Sequence, residues 1–424
     1  MYRGKRSEPP PPVWRKLAIA ALAVVLLAAG VFVALLFRQP TAQPPQPAQS
    51  TPSQLSQRSQ APSQEPSVKP TPEPTPTPAP DPAEELLAGM TLHEKVCQLF
   101  VVQPADLTGV YKVTAAGETT RQALERYPVA GLLYDASNLV SMEQTKTMLA
   151  NVQTFTKIPL ILTCDEEGGR VNRLMHTIGT TYIGPMLDYK DQGQQVAEDN
   201  ARTIATDLIS CGFNMDLAPV ADVWSNPNNT VIGDRAYSDD FEQAAGLVSA
   251  AVEGFHAGGA ACTLKHFPGH GDTSADSHYG SVYVYKTLDE LRAAEFLPFQ
   301  AGISAGADAV IMRHLIVPDI DNQPALMSHK IVTEILREEL GFEGVVITDS
   351  LEMQAMTDHY GSGEIAVKAV QAGVDLLLSP QNLDQAVVAL TQAVEEGTIT
   401  QERLDESVLR VLRLKLDRGI IPTE

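Results

Sequence analysis

The chain has 424 residues, a length that allows one large domain or two of medium size. Its formal net charge of -21 at pH 7 repels phosphate backbones and argues against nucleic acid as a partner. The four cysteines form no CxxC pair and have apolar neighbours, so they predict buried free thiols rather than a zinc site, although a disulfide stays open for a domain outside the cell.

The first predicted element is a membrane-spanning helix. Residues Leu17 to Phe37 contain no charged side chain, and as a helix they reach about 30 Å, the thickness of the hydrocarbon core of a bilayer. Residues 1–16 carry five basic side chains, whereas Arg38 alone follows closely, so the N-terminus is predicted to be cytoplasmic. We therefore predict a single-pass protein of the cell membrane with its body on the extracytoplasmic side. A cleaved signal peptide, followed by secretion, is the alternative.

Residues 38–82 are rich in Pro, Thr, Ser, Gln and Ala. Such a composition cannot bury enough apolar surface to fold into a core. A proline-rich chain is extended and semi-rigid, so the segment is predicted to be a linker that holds the following domain away from the membrane.

Residues 83–424 show short apolar runs that alternate with amphipathic helical stretches. This pattern is typical of parallel strands covered by helices, and eight runs predict an α/β fold of the TIM-like (β/α)8 barrel type. A doubly wound open sheet is the alternative, but no glycine-rich phosphate loop follows the first run. The runs are Leu99–Val102, Ala130–Tyr134, Leu160–Thr163, Met215–Pro219, Ala261–Leu264, Ala309–Met312, Val345–Thr348 and Val374–Leu378.

Polar residues follow several of these runs directly. In a (β/α)8 barrel the active site is built at the carboxyl ends of the strands, so these residues are the candidates for chemistry. Five such segments at one rim are difficult to explain by helix capping or surface salt bridges alone. They are Asp165–Arg170 after the third run, Gly233–Arg235 after the fourth, Lys265–His266 after the fifth, Arg313–His314 after the sixth and Asp349 after the seventh.

The segment Lys265–His278 contains one lysine, three histidines and two aspartates in a loop with glycines and a proline. A metal site is one interpretation, but the helical HxxxH and HExxH spacings are absent. Acid/base chemistry is the better one, because Asp276 and His278 are two residues apart and an extended stretch places both on one side. Such a pair donates and recovers a proton near neutral pH. Asp349, at the end of a rigid strand, suits a nucleophile.

These residues together resemble a known family. The segment Lys265–His278, with Asp165–Arg173, Arg235 and Asp349, is similar to glycoside hydrolase family 3, and within it to the single-barrel β-N-acetylhexosaminidase (β-N-acetylglucosaminidase) branch. The resemblance covers residues 83–424. It implies a retaining double displacement through a covalent glycosyl-aspartate, without a metal or another cofactor.

The resemblance also implies a role for individual residues. Asp349 corresponds to the nucleophile, His278 to the acid/base and Asp276 to the residue that orients His278. Sugar hydroxyls are held by charge-assisted hydrogen bonds, for which the implied substrate-binding residues are well suited. These are Asp165, Arg173, Arg235, Lys265 and His266.

Two positions depart from the pattern of the family. Tyr279-Gly280 follows His278 where an apolar residue and proline are usual, and Arg313 stands where a small residue is usual. We expect the Arg313 side chain to turn outward into a salt bridge. The alternative is an inward guanidinium that favours an anionic aglycone.

The predicted reaction is hydrolysis of terminal non-reducing β-linked N-acetylglucosamine, with an amino-sugar oligosaccharide or muropeptide from peptidoglycan as substrate. Phosphorolysis is an alternative, because a histidine acid/base repels an incoming phosphate anion less than a carboxylate does. A catalytically silent cell-wall-binding protein is the third hypothesis, against which the intact nucleophile and Asp276/His278 pair argue. We expect a monomer.

Overall fold

The computed structural model describes residues 81–273, 280 and 282–422. The chain divides into two units, residues 1–76 and 77–424, and every described residue belongs to the second unit. The predicted membrane span, the predicted linker up to residue 80, and the Asp276/His278 pair lie outside the described residues. Among the helices that are described, none has the length and apolar character needed to cross a membrane.

Every apolar run predicted as a strand contains or overlaps a strand of the structure. Three further short strands, Val282–Tyr283 (β6), Leu315–Val317 (β8) and Asp321–Pro324 (β9), form a small separate sheet with the order β6-β8-β9. The described strands are β1 Phe100–Val102, β2 Gly131–Leu133, β3 Ile161–Cys164, β4 Met215–Asp216, β5 Thr263–Phe267, β6 Val282–Tyr283, β7 Ala309–Met312, β8 Leu315–Val317, β9 Asp321–Pro324, β10 Val345–Thr348 and β11 Leu377–Leu378.

The eight strands that correspond to the predicted runs pair only in parallel. One sheet has the order β11-β1-β2-β3-β4 and the other has the order β10-β7-β5. Two parallel bridges, Met215 with Ala261 and Ile347 with Leu376, connect the ends of these sheets. The fold is therefore α/β with parallel sheets, and its pairing is consistent with the predicted barrel.

Strand β5 is longer than predicted. The predicted run ends at Leu264, whereas the strand continues to Phe267. Phe267 pairs with Met312 of β7, and the carbonyl oxygen of Phe267 accepts a hydrogen bond from the backbone N–H of Arg313 at 2.8 Å. Lys265 and His266 therefore lie within the strand and not in the loop that follows it. A strand backbone fixes both side chains more tightly than a loop does.

Helices separate the strands along the chain. Several begin at a capping side chain, such as Thr91 and Thr287, each of which forms a capping box with the glutamate three residues later. The described α-helices are α1 Pro82–Ala88, α2 Leu92–Cys97, α3 Pro104–Thr108, α4 Glu118–Arg126, α5 Met142–Gln153, α6 Met175–Ile178, α7 Gln194–Cys211, α8 Phe241–Ala257, α9 Leu288–Ala293, α10 Phe296–Ser304, α11 Gln354–Thr357, α12 Ser362–Ala372, α13 Leu383–Glu395 and α14 Gln401–Asp417, and Lys330–Glu339 forms a π-helix.

The buried side chains form two apolar clusters, and alternate residues of one strand belong to different clusters. Val101 of β1 packs with Ile161, Ile311 and Ile347 inside the ring of strands, whereas Phe100 packs outward against the helices. This alternation follows from the period of two of an extended chain. All four cysteines are free and buried, which confirms their prediction as packed thiols.

Lys415 on α14 is fully buried, and its Nζ donates a hydrogen bond to Gln98 Oε1 at 3.1 Å. No carboxylate among the described residues forms a salt bridge with it. Burial lowers the pKa of Lys415 to about 7. In the unfolded chain the same group has its ordinary pKa near 10.5, so the unfolded state binds more protons between these two values and the folded state gains stability as the pH rises through this window.

Lys415→Met is therefore expected to reduce this pH dependence. The stability of the wild type should rise by about 2 kcal/mol more than that of the variant between pH 7 and pH 9. Urea unfolding at both pH values measures the difference. Lys157→Met is the control, because the Lys157 side chain is 93% exposed. A variant with the same pH dependence as the wild type would show that Lys415 is already neutralised by another group.

Candidate active site

The predicted polar segments meet at the carboxyl ends of the strands, around a cavity of about 300 Å³. Each of the five predicted substrate-binding residues lines this cavity, and so does Asp349. The structure also places Glu167, Arg313, Ser350 and Glu352 in the wall. The described part of the predicted site is therefore assembled in one place.

Lys265 lies at the centre of the charged floor of the cavity and is 3% exposed. Its Nζ lies 2.7 Å from Asp165 Oδ1 and 2.5 Å from Glu167 Oε1. Arg235 donates to both oxygens of the same Glu167 carboxylate at 2.8 Å each. Burial raises the pKa of Glu167, but the charges of Arg235 and Lys265 outweigh burial and lower it to about 2. Glu167 is thus an ionised anchor for two cations.

Arg173 is held on the other side of Asp165. Its guanidinium lies 3.3 Å from Asp165 Oδ2 and 3.0 Å from Asp135 Oδ1. The buried Glu166 fixes the backbone at Arg173. Its carboxylate accepts hydrogen bonds from the backbone N–H groups of Arg173 at 2.5 Å and of Leu174 at 2.8 Å. The Asp165 carboxylate, flanked by Lys265 and Arg173, offers acceptor lone pairs to neighbouring sugar hydroxyls, and the two cations offer donors.

His266 is oriented by the buried carboxylate of Asp222, whose Oδ2 lies 2.6 Å from His266 Nδ1. Burial and the charges of Arg313 and Arg235 hold the pKa of His266 well below its usual range. The imidazole is therefore neutral at pH 7, with Nδ1–H donating to Asp222. Asp222 Oδ1 also accepts the backbone N–H of His270 at 2.6 Å. The same carboxylate thus fixes both ends of the segment from His266 to His270.

Asp349 follows β10, and its backbone N–H donates to the carbonyl oxygen of Met312 at 2.9 Å. Its Oδ1 accepts the N–H of Ser350 at 2.8 Å, and its Oδ2 forms an ion pair with Arg313. Burial favours the neutral acid, but the charges of Arg313 and His314 outweigh it and hold the pKa of Asp349 well below its usual range. Asp349 is consequently an ionised, rigidly placed carboxylate, as a nucleophile requires.

The expected outward direction of Arg313 is wrong. The residue is 3% exposed, points into the cavity and pairs with Asp349. The physical reason is the half-buried carboxylate of Asp349, because an ionised group largely removed from water needs a cation beside it. Arg313 replaces the small side chain usual at this position and adds a positive charge to the wall of the site.

Two further residues of the site were given no role from the sequence. Glu167 was read only as part of a charged run, although alternation along an extended chain places it on the same side as Asp165. Asp222 was missed because Val220 and Ala221 separate it from the predicted end of the fourth run. Both carboxylates position other side chains of the cavity.

Hydrogen bonds hold the backbone at the start of the segment that leads to Asp276 and His278. Asn229 Nδ2 donates to the carbonyl oxygens of His270 at 2.7 Å and of Gly271 at 3.2 Å. Gly271 lies so close to the neighbouring backbone that a Cβ atom there would come within 1.6 Å of the carbonyl oxygen of Val223. Only glycine fits at this position without moving one of the two segments.

Gly271→Ala is expected to displace the backbone that leads to Asp276 and His278, the predicted acid/base pair, and to lower kcat by about a hundredfold, since misplacement of a catalytic group by 1 Å has an effect of that size. Steady-state hydrolysis of an aryl β-N-acetylglucosaminide measures the loss. Gly117→Ala is the matched control, because an added Cβ at Gly117 meets no atom within 4 Å. Rates for Gly271→Ala within twofold of wild type would contradict the anchoring role.

A group with metal-ligand chemistry lies at the opposite, amino ends of the strands. It consists of His256, Cys262 and Asp308. Arg418 already pairs with two of these residues, since its guanidinium lies 2.5 Å from Asp308 Oδ1 and 2.7 Å from His256 Nε2. With the guanidinium of Arg418 bound there, the group is a cluster of ion pairs that holds the end of α14 in place.

The sequence model described as the glycosyl hydrolase family 3 N terminal domain matches residues 91–414. The chain belongs to glycosyl hydrolase family 3. This confirms the family that was predicted from the segment Lys265–His278 and the polar strand ends. The match spans the helices and strands that surround the cavity.

Among the curated relatives, a protein named beta-hexosaminidase from Stenotrophomonas maltophilia (strain R551-3) is 37% identical over 279 residues, which are 64% of this chain and 82% of the relative. Beta-hexosaminidase A from Pseudoalteromonas piscicida is 34% identical over 324 residues. That match covers 69% of this chain, and the chain spans 54% of the length of that relative.

A solved structure of a glycoside hydrolase family 3 beta-N-acetylglucosaminidase from Paenibacillus sp. str. FPU-7 superposes with a TM-score of 0.75 and is 37% identical. The superposition covers 79% of this chain and 64% of that protein. The family 3 fold is therefore common to this chain and a protein named for activity on N-acetylglucosaminides. The roles of Asp349, Asp276 and His278 stay predictions.

Proposed function

We propose that this protein is a retaining β-N-acetylhexosaminidase that hydrolyses terminal non-reducing β-linked N-acetylglucosamine, with Asp349 as nucleophile. The observation that carries the proposal is an ionised, half-buried Asp349 in a small cavity that is also lined by Asp165, Lys265 and Arg173. A cavity of about 300 Å³ is at the lower end of the range for ligand sites and fits a single terminal sugar unit. The beta-hexosaminidase names of the relatives support the same substrate class.

In the proposed reaction, a carboxylate oxygen of Asp349 attacks the anomeric carbon while the glycosidic oxygen leaves with its electron pair and takes a proton from His278. Water, deprotonated by His278, then releases the sugar from Asp349. Two inversions give net retention. Asp276 orients His278 throughout. Asp349 follows β10 at the rim where the carboxyl ends of the parallel strands meet, which suits the proposed attack.

The test is hydrolysis of 4-nitrophenyl β-N-acetylglucosaminide by the purified protein, with NMR detection of the first anomer released. We expect the β anomer first and much slower release from the matched β-glucoside, which lacks the acetamido group. Release of the α anomer first would contradict retention. A sugar 1-phosphate formed in phosphate buffer would replace hydrolysis by phosphorolysis.

Peptidoglycan fragments are the natural substrate that we propose. The support comes from the predicted placement of residues 83–424 outside the cytoplasmic membrane, behind the span Leu17–Phe37 and the linker 38–82. The protein should remain in the membrane fraction after alkaline carbonate washing. A variant without residues 1–38 should be soluble and equally active on the aryl substrate. Recovery of the full chain in the soluble fraction would contradict the anchor.

A further inference from the structure

We propose that Glu352 is a specificity-determining residue that binds an ammonium group of the substrate, an inference that rests on the proposed function. Glu352 follows Asp349 closely along the chain and lines the same cavity. Its side chain is exposed to solvent. A sugar that enters the cavity can therefore reach the Glu352 carboxylate.

The other three carboxylates in the cavity wall are each compensated by a cation. They form the salt bridges of Asp165 with Lys265, of Glu167 with Lys265 and of Asp349 with Arg313. Glu352 forms no salt bridge with any residue that the structure describes. Its Oε1 accepts a hydrogen bond from the side-chain amide of Gln103 at 3.1 Å. Because an amide is neutral, this bond leaves the negative charge of Glu352 unbalanced.

A second carboxylate makes the surroundings of Glu352 more negative. Asp106 lies on α3, in the segment that follows β1. Partial burial first, and the charge of Glu352 second, raise the pKa of Asp106 to about 6. The two acidic groups thus repel each other, and neither forms a salt bridge within the described part of the chain. A cation bound beside them relieves this repulsion.

An ammonium group matches this arrangement better than a hydroxyl group does. It carries the positive charge that the two carboxylates lack, and its three N–H donors allow one bond to Glu352 and another to Asp106. Hydrogen bonds between charged groups are also about twice as strong as those between neutral groups. Two parts of an amino-sugar substrate can carry an ammonium, namely C-2 of the terminal ring where the acetyl group is absent, and the group that leaves. The recognition chemistry is the same for both.

The first test compares 4-nitrophenyl β-glucosaminide with 4-nitrophenyl β-N-acetylglucosaminide at about pH 6, where the free amine is protonated. Glu352→Gln should lower kcat/KM for the amine by about tenfold relative to the acetylated sugar, and Glu352→Asp should lower it less. Because the ratio is taken within each variant, a general effect of the substitution on Asp349 cancels.

Asp358→Asn is the matched control for this test. Asp358 is also an exposed carboxylate that accepts a hydrogen bond from a glutamine side chain, at 2.9 Å from Gln354, but it does not line the cavity. The ratio for Asp358→Asn should equal that of the wild type. An equal loss in Asp358→Asn and Glu352→Gln would show a general effect of surface charge and would contradict the proposal.

A second pair of substrates identifies the source of the ammonium. It consists of N-acetylglucosaminyl-β-1,4-glucosamine and N-acetylglucosaminyl-β-1,4-N-acetylglucosamine, whose terminal rings are identical. A loss in the aryl pair alone assigns recognition to C-2 of the terminal ring. A loss in the disaccharide pair alone assigns it to the group that leaves, and a loss in both assigns it to both. Ratios that Glu352→Gln leaves unchanged in both pairs would overturn the proposal.

Binding to Asp349→Asn tests the proposal independently of turnover. Calorimetry gives the Kd of each free-amine sugar relative to that of its acetylated counterpart. Both added salt and the further substitution Glu352→Gln should weaken binding of the amine relative to the acetylated sugar, the substitution by about tenfold. Equal Kd ratios with and without Glu352 would contradict ammonium recognition. Failure of the wild type to hydrolyse any β-N-acetylglucosaminide would instead contradict the proposed function, and the Kd ratios would still decide the role of Glu352.

Discussion

Asp349→Ala is expected to lower kcat for 4-nitrophenyl β-N-acetylglucosaminide by at least about a thousandfold, the scale on which loss of a nucleophile acts. The reason is the position of the carboxylate, which is fixed by the backbone at the end of β10 and kept ionised by Arg313. Release of 4-nitrophenol under saturating substrate measures the loss.

Azide provides the diagnostic control for this prediction. It fits the space left by the removed carboxylate and attacks the anomeric carbon from the same face, so Asp349→Ala with azide should form the α-glycosyl azide. Asp358→Ala, which removes an exposed carboxylate near the site in sequence, should keep wild-type rates. Thermal unfolding checks that the variant is folded. A folded Asp349→Ala with near wild-type kcat would refute the nucleophile.

Glu167→Gln is expected to lower the free energy of unfolding by about 3–5 kcal/mol, the usual cost of leaving buried charges unpaired. Glu167 is 4% exposed and is the carboxylate to which both Arg235 and Lys265 are bound. Without its charge, Arg235 has no carboxylate partner among the described residues. The free energy of unfolding in urea measures the effect, and kcat/KM should fall as well because Lys265 loses a fixed neighbour.

The change in the free energy of unfolding as the pH falls tests the same prediction. The folded-state pKa of Glu167 is about 2, below its ordinary value of 4.5, so its contribution is complete above pH 4.5 and is lost as the pH falls toward 2. Glu167→Gln should therefore have the shallower loss of stability in this window. Glu118→Gln is the control, since the exposed Glu118 side chain contacts only surface groups of its own helix, Arg121 and Gln122. Equal acid dependence in variant and wild type would contradict the role of Glu167.

The parallel strands and the rim were predictable from the sequence because both depend on local pattern. A buried parallel strand needs a continuous apolar run, and each of the eight runs contains or overlaps a strand. Polar residues at the ends of such runs, including Asp165 and Asp349, then had to meet at one edge. The segment Lys265–His278 indicated the family, and the match of the family model to residues 91–414 confirms it.

The direction of Arg313 and the role of Glu167 were not predictable in the same way. Each depends on a partner that is distant in sequence, Asp349 for Arg313 and Arg235 for Glu167. A pattern read along the chain gives no information about which charged group a side chain will meet from a distant strand or loop. For Arg313, the general preference for long cations at the surface led to the wrong expectation.

The central claim is that Asp349 forms a covalent bond to the sugar, and trapping that bond tests it most directly. Brief incubation of the wild type with 5-fluoro-β-N-acetylglucosaminyl fluoride, followed by acid quenching, proteolysis and mass spectrometry, should show one labelled peptide, with the sugar on Asp349. Asp349→Asn should remain unlabelled. A label on another carboxylate of the cavity, such as Glu352 or Asp165, would contradict the account.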